Sequence, residues 1–199
     1  DSSLIFLLCG LGFMTMVMVL YSLEVVQEIH DRANAWHEFK EGVRFVIHHR
    51  LFLTLILLTW ISMFFGTSYI QIMPIFADIL KSGERGYGFL ISATGVGSVA
   101  GNLFIGRFQL SRRLGLMMIS CAALAPVSLL GFSLVTGIFL NEAGAFWFAS
   151  ILAILAAAFS SVFLVSSITV LQLKVPDNLR GRVMGIHSIT FSLIALGGI

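Results

Sequence analysis

Six uncharged runs separated by short polar stretches set the plan of this chain: 2–23, 51–77, 86–106, 114–141, 143–173 and 183–199. A helix crosses the hydrocarbon core of a bilayer in about 20 residues, so the first five runs are long enough to span and the last is cut short. The pattern predicts an all-α membrane protein, a polytopic transmembrane helix bundle. The stretch 24–50 breaks it, holding five acids, four Lys or Arg and four of the five histidines. Within it Ala33, Trp36, Phe39, Val43 and Val46 recur at helical spacing, with Glu38, Lys40, Glu41 and Arg44 between them. That spacing predicts an amphipathic helix lying along the membrane face. His30, His37, His48 and His49 are irregularly spaced and have no cysteine beside them, so they read as solvated or lipid-facing groups and no metal site is expected.

The span 51–77 carries the most chemistry. Trp60, Phe64, Ser68 and Gln71 fall on one helical face with Thr67 beside them, while Leu57, Leu58, Ile61 and Ile72 lie elsewhere. Gly66 and Pro74 weaken its outer half, and a broken helix is tolerated only where its backbone faces protein or a water-filled cavity. The stripe is expected to line a substrate cavity; the alternative is packing against neighbouring helices. In the next span, Ala93 to Gly101 looks superficially like a dinucleotide fingerprint, but no strand precedes it and no acid follows at the required distance. Ser92, Ala93, Gly97, Ala100 and Gly101 are better read as small residues that let helices touch. Asn102 is the strongly polar group of this span, placed for an interhelical hydrogen bond or a cavity contact. The run 114–137 should be a peripheral, lipid-facing helix kinked near Pro126. The run 143–173 carries Ser150, Ala153, Ala157, Ser160, Ser161 and Ser167 mostly on one side, which suits tight packing against its partners.

Composition agrees. The 199 residues are 58% hydrophobic and 11% charged, against about 25% charged in soluble domains. The net charge of +2 matters less than where the charges fall. Arg107, Arg112 and Arg113 share one short loop without an acid, and Lys174, Arg180 and Arg182 cluster in another; Asp78 to Arg85 is balanced and Glu142 stands alone. The positive-inside rule then puts the 24–50 stretch and both Arg-rich loops in the cytoplasm and the Asp78 and Glu142 loops outside. The expected location is the plasma (inner) membrane, as a multi-pass protein. Cys9 and Cys121 fall inside apolar runs and read as small packing residues. Asp1 stands directly against an apolar run with no basic region before it, and the chain stops within another at Gly197-Gly198-Ile199, so a fragment is expected and a signal peptide is not.

No Asp, Glu, Lys or Arg lies well inside a span, and intramembrane ionisable groups are what a membrane-embedded enzyme or a proton relay is built from. Neither enzymatic activity nor a cofactor is therefore expected, and nucleic acid is not an expected partner. His187, the one imidazole near a span, is expected to serve as an interfacial hydrogen-bonding group.

The stretch 172–185, QLKVPDNLRGRVMG, is a compact charged loop between two long apolar runs. Pro176 disfavours a helical residue before it, so the preceding helix should end near Lys174 or Val175, and Asp177 or Asn178 can cap the next. Gly181 and Gly185 are expected to remove bulk where neighbouring helices approach. The run Leu171-Gln172-x-x-Val175-Pro176-Asp177-x-x-Arg180-Gly181-Arg182-Val183-Met184 resembles the loop between the tenth and eleventh helices of major facilitator superfamily exporters, nearest in feel to the enterobactin-exporter and macrolide-efflux-like branches. Gly106-Arg107 to Leu114-Gly115 resembles a degraded copy of that superfamily's glycine–arginine loop motif, lacking its acid.

The resemblance implies the C-terminal half of a major facilitator fold. Residues 1–23 would be family helix six, 24–50 the cytoplasmic linker with its amphipathic helix, and 51–199 family helices seven to a truncated eleven. It implies a secondary exporter of a small, partly apolar compound such as a siderophore or drug, working by alternating access and proton-coupled. Pro176, Asp177, Arg180, Gly181 and Arg182 would form a cytoplasmic gate or loop motif. The partners would be a small-molecule substrate, membrane lipid and an N-terminal half of the same protein. A non-transporting scaffold and the membrane subunit of an ATP-driven permease are the alternatives. The alternation of charge is directly testable: cysteines placed at Asn178 and Ser111 should react with an impermeant thiol reagent only from the cytoplasmic side, and one at Ser82 only from outside. Labelling of Asn178 and Ser82 from the same side would overturn it.

Overall fold

A computed structural model of the chain describes residues 2–22, 35–66, 69–106, 114–138 and 143–197. Ala33, Thr67, Ser68, the Arg107–Arg113 loop and Glu142 lie outside the described residues. The described elements are helices without exception: α1 (Ser2–Ser22), α2 (Ala35–His48), α3 (Arg50–Gly66), α4 (Tyr69–Ile79), α5 (Gly83–Gly106), α6 (Leu114–Ile138), α7 (Ala143–Lys174) and α8 (Asp177–Gly197). Four stretches are long and apolar enough to cross a membrane: Arg50–Ile79, Gly83–Gly106, Leu114–Gly137 and Gly144–Lys174. Phe6–Ser22 is a shorter apolar helix.

The chain divides into two compact units, Asp1–Ala35 and Trp36–Ile199. In the first, α1 is apolar on every side. Its hydroxyls turn back on their own helix, Thr15 donating to the Gly12 carbonyl and Ser22 to that of Val19, each at 2.8 Å. A helix with no polar face suits lipid or a protein interior.

The second unit is a bundle built around α7. Along the length of α7 lie three apolar clusters. One joins Val46 of α2, Phe52 and Ile56 of α3, Leu171 and Val175 at the end of α7, and Val183 and Ile186 of α8. A second joins Met73 and Ala77 of α4, Leu90 of α5 and Phe132 of α6 to Ala149 and Ala153. The third joins Ile105 of α5 and Met118 and Cys121 of α6 to Val162 and Phe163. α6 packs chiefly on α7 and turns Leu116, Ile119, Val127 and Leu130 outward, as expected of a peripheral helix.

At the α5–α7 contact the two backbones approach closely. A Cβ added at Gly97 would collide with the Ile154 carbonyl oxygen, and one at Gly101 would come within 2.7 Å of the Ala158 oxygen. Of the small residues singled out by sequence, Ala93, Gly97 and Gly101 face this seam, while Ser92 and Ala100 point away from it. One face of a helix takes only every third or fourth position, so neighbouring small residues cannot all share one seam.

α4 contains Pro74, which has no N–H to give the carbonyl one turn back. α4 then closes with a Schellman motif: the Ser82 N–H reaches the Ala77 oxygen at 3.0 Å and the Lys81 N–H that of Asp78 at 2.9 Å, with Lys81 left-handed at φ 53°. These bonds satisfy carbonyls that a membrane-edge helix would otherwise leave open.

Filling the α5–α7 seam should be costly. Gly97→Ala is expected to destabilise the bundle by about 1–3 kcal/mol, the usual penalty for overpacking. Gly95→Ala, where an added Cβ meets nothing within 4 Å, should be neutral or slightly stabilising. Thermal unfolding of the two variants in one detergent checks the difference.

Candidate functional site

Between the α3–α4 junction and the middles of α5 and α7 lies a cavity of about 390 Å³. Its polar lining consists of hydroxyls, those of Tyr69, Thr94, Ser98, Ser160 and Ser161, set among apolar residues such as Met63, Ile91 and Leu164. No acid or cationic side chain is among these described lining residues. Pockets of roughly 300–1,000 Å³ with a few placed polar groups are the usual form of small-molecule sites.

The hydrogen bonding divides this lining into committed and available groups. Thr94 donates to the Ile91 carbonyl at 2.7 Å and Ser98 to the Thr94 carbonyl at 3.0 Å, the local bonds that hydroxyls make within a helix. Asn102 on α5 donates from Nδ2 to Ser161 Oγ on α7 at 2.8 Å, fixing that serine across the helix seam. The other atom of the amide, Oδ1, is buried without a partner among the described residues, and so is Ser160 Oγ. A buried polar atom left unpaired costs about 1–3 kcal/mol, so both atoms favour a ligand that brings hydrogen-bonding groups.

The sequence-predicted residues are distributed over several surroundings. Asn102 stands one hydrogen bond from the cavity wall. Trp60 is partly buried against the cluster of α2, α3, α7 and α8, with its indole N–H unpaired. Phe64 meets Phe65 edge to face at 4.8 Å, and Gln71 is exposed on α4. Ser68 lies outside the described residues. α3 and α4 contribute Met63, Gly66, Tyr69 and Ile70 to the cavity, a face adjacent to the Trp60 stripe. Tyr69, Ser98, Ser160 and Ser161 carry the polar lining that stripe reasoning missed. The signal that points to them is a row of hydroxyls on two spans accompanied by one amide.

His187 is 2% exposed, and its Nε2 has no partner among the described residues. It does not sit at the interface as expected. Val183, Ile186, His187 and Thr190 share the face of α8 that turns into the bundle, so helical phase overrides nearness to the membrane edge.

At the Pro176 end, α7 stops at Lys174 and α8 starts at Asp177, as the proline dictates. Asp177 occupies the first turn, where a negative charge complements the helix dipole, and receives Arg180 at 2.5 Å. Arg182 reaches across to α2, where Glu38 lies at 3.8 Å and the Glu41 carboxylate accepts a hydrogen bond from Nη1. α2 therefore supplies the counter-charge for a cation near a helix start. The close approach expected at Gly181 and Gly185 occurs elsewhere. A Cβ at either would meet nothing within 4 Å, whereas one at Gly42 on α2 would lie 3.0 Å from Arg182 Cβ.

A multi-pass helical membrane protein with a hydroxyl-lined cavity between four of its helices is what the fold defines. The family model for the Major Facilitator Superfamily matches residues 2–199, and the chain belongs to that superfamily. It is thus a secondary transporter of small molecules, integral to a membrane, in a family of transporters and not of enzymes. Neither a curated protein nor a solved structure matches the chain.

The Glu41–Arg182 pair is half exposed, so a double-mutant cycle with Glu41→Gln and Arg182→Gln should give a coupling of only about 0.2–1 kcal/mol. The coupling should shrink as salt is raised, read from unfolding midpoints. A coupling indistinguishable from zero at low salt would mean that Gly42 and Val46 hold α2 on α8 without help from charge.

Proposed function

We propose that this chain is the C-terminal half of an exporter of the enterobactin-exporter and macrolide-efflux-like branch, and that the cavity between α3, α4, α5 and α7 is its share of the substrate site. In this reading α1 is family helix six, α2 belongs to the linker between halves, and α3 with α4, then α5 to α8, are family helices seven to eleven. The observation that carries the site is the cavity's depth. Thr94 and Ser98 lie near the middle of α5, and Ser160 near the middle of α7, so the cavity sits near the bilayer midplane. That is where alternating access requires a secondary transporter to hold its substrate.

The lining narrows the compound. Hydroxyls on an apolar ground, backed by the Asn102 amide one hydrogen bond behind Ser161, with no acid or cation among the described lining, suit a partly apolar molecule held through its own N–H, O–H or carbonyl groups. This supports a siderophore- or drug-like compound over a small inorganic ion. Trp60 belongs to this reading as a support of the α3–α8 packing, and Gln71 as a residue facing the other half of the transporter. If transport is proton-coupled, the coupling carboxylate comes from that other half.

Efflux from cells expressing the full-length protein tests the proposal. Ser160→Leu should fill the cavity and cut transport tenfold or more at unchanged membrane abundance, and Asn102→Ala should change the ranking of substrates. Leu116→Ala, on the outward face of α6, should leave both unchanged. Equal behaviour of the cavity and α6 variants would refute the site, and uptake instead of extrusion would refute the direction.

A further inference from the structure

The face of α2 that turns away from α8 has no role in the transport reading. Its residues sort by helical phase into three sectors. Gly42 and Val46 pack inward, Gly42 against Arg182 and Ile186, and Val46 into the α3–α7–α8 cluster at 4% exposure. Glu38 and Glu41, the two acids within α2, are both taken up by Arg182. What remains outward is Trp36, Phe39 and Ile47, all exposed, with Lys40 and Arg44 beside them.

This outer sector is organised. The Trp36 and Phe39 rings stack at 5.8 Å, and the Lys40 ammonium lies 5.4 Å from the centre of the Trp36 ring. Together with Val43, Arg44 and Ile47 they line a shallow groove of about 280 Å³. Neither Lys40 nor Arg44 has an acidic partner among the described residues. With Glu38 and Glu41 paired to Arg182, and Lys40 and Arg44 without an acidic partner among the described residues, α2 presents an aromatic-rich strip whose unpaired charge is positive.

The location of the strip determines its occupant. His49 alone separates α2 from α3, which opens a membrane-spanning stretch at Arg50. The His49 N–H bonds the Val46 carbonyl at 3.2 Å, and the Leu53 N–H bonds the His49 carbonyl at 3.1 Å, so backbone hydrogen bonding carries across the one-residue junction. A helix held this close to the start of a span lies at the level of the lipid head groups. Aromatic and aliphatic side chains at that depth enter the head-group and acyl boundary, and adjacent Lys and Arg favour negative lipid charge.

We propose that the outer face of α2 is a binding surface for anionic phospholipid. Trp36, Phe39 and Ile47 insert at the acyl boundary, and Lys40 and Arg44 hold the phosphate groups. Because the same helix holds Arg182 through its opposite face, lipid charge bears on the start of α8.

The test uses the full-length protein in bilayer nanodiscs containing either brominated-acyl phosphatidylglycerol or brominated-acyl phosphatidylcholine at equal mole fraction. The Trp36 signal is the difference in fluorescence between the parent protein and Trp36→Phe. The expected result is stronger quenching of that signal by the phosphatidylglycerol, with the preference reduced by salt. Lys40→Gln with Arg44→Gln should weaken the preference about thirtyfold, at about fivefold for each cation removed. Arg85→Gln, at the start of α5, should leave it unchanged. Equal quenching by both lipids would overturn the proposal, since the face would then touch the bilayer without reading its charge. Absence of quenching by either would also overturn it, since the strip would then be covered by protein.

Discussion

The near contact of the α5 and α7 backbones at Gly97 and Gly101 is the constraint on which the rest of this bundle depends. Lipid supplies little hydrophobic drive for one helix to bind another, so cohesion comes from close packing and from hydrogen bonds between helices. Gly97 and Gly101 let the two backbones meet, and the meeting brings Asn102 within reach of Ser161. With α7 held in this way, its other faces are free to take α4 and α6 on one side and α3 and α8 on another. The Thr59–Ser167 hydrogen bond at 3.0 Å ties α3 to α7 by the same logic, both side chains being fully buried.

Most hydroxyls in the spans cause no such coupling. Ser128, Thr136, Ser150 and Ser166 each donate to the carbonyl four residues back at 2.6–2.9 Å and so cost the bilayer nothing. Against that background the unpaired atoms stand out: Asn102 Oδ1 and Ser160 Oγ beside the cavity, and Trp60 Nε1, His187 Nε2 and Thr190 Oγ1 on α3 and α8. In a solvent that cannot hydrogen-bond, such groups persist only where water, a ligand or a moving partner meets them for part of the time. Ser160 lines the cavity and Asn102 stands behind its wall, which is why the substrate reading rests there. The second set lies on α3 and α8, which pack on each other, and none of its three residues lines that cavity.

Much of the fold was legible because lipid imposes a length and a polarity on every span. The long apolar runs, the stop before Pro176 and the outward apolar face of α6 all follow from local composition. The cavity wall was less legible, for a physical reason. Trp60, Phe64 and Gln71 attract notice as large or polar groups on one face, yet which face of α3 and α4 borders α5 and α7 is set by how the four helices pack, which local composition does not carry. Serine is also ambiguous by nature: Ser150 and Ser160 sit on the same helix, one bonded to its own backbone and the other open at the cavity.

Charge shows the same limit in another form. From sequence, α2 is a mixture of acids and bases with no net message, and Arg180 and Arg182 look like equivalent cations at the start of a helix. Folding separates them. Arg180 is answered by Asp177 three residues before it, which phase alone permits. Arg182, two residues further on, points to another part of the surface and meets Glu38 and Glu41, whose own spacing of three places both on one side of α2. Pairing of those two acids with Arg182 leaves Lys40 and Arg44 as the cations of α2 without an acidic partner among the described residues. A helix whose composition is nearly neutral thus has its charges sorted by a single arginine on its neighbour, and the same contact seats α2 on α8 beside the close approach of Gly42 to Arg182.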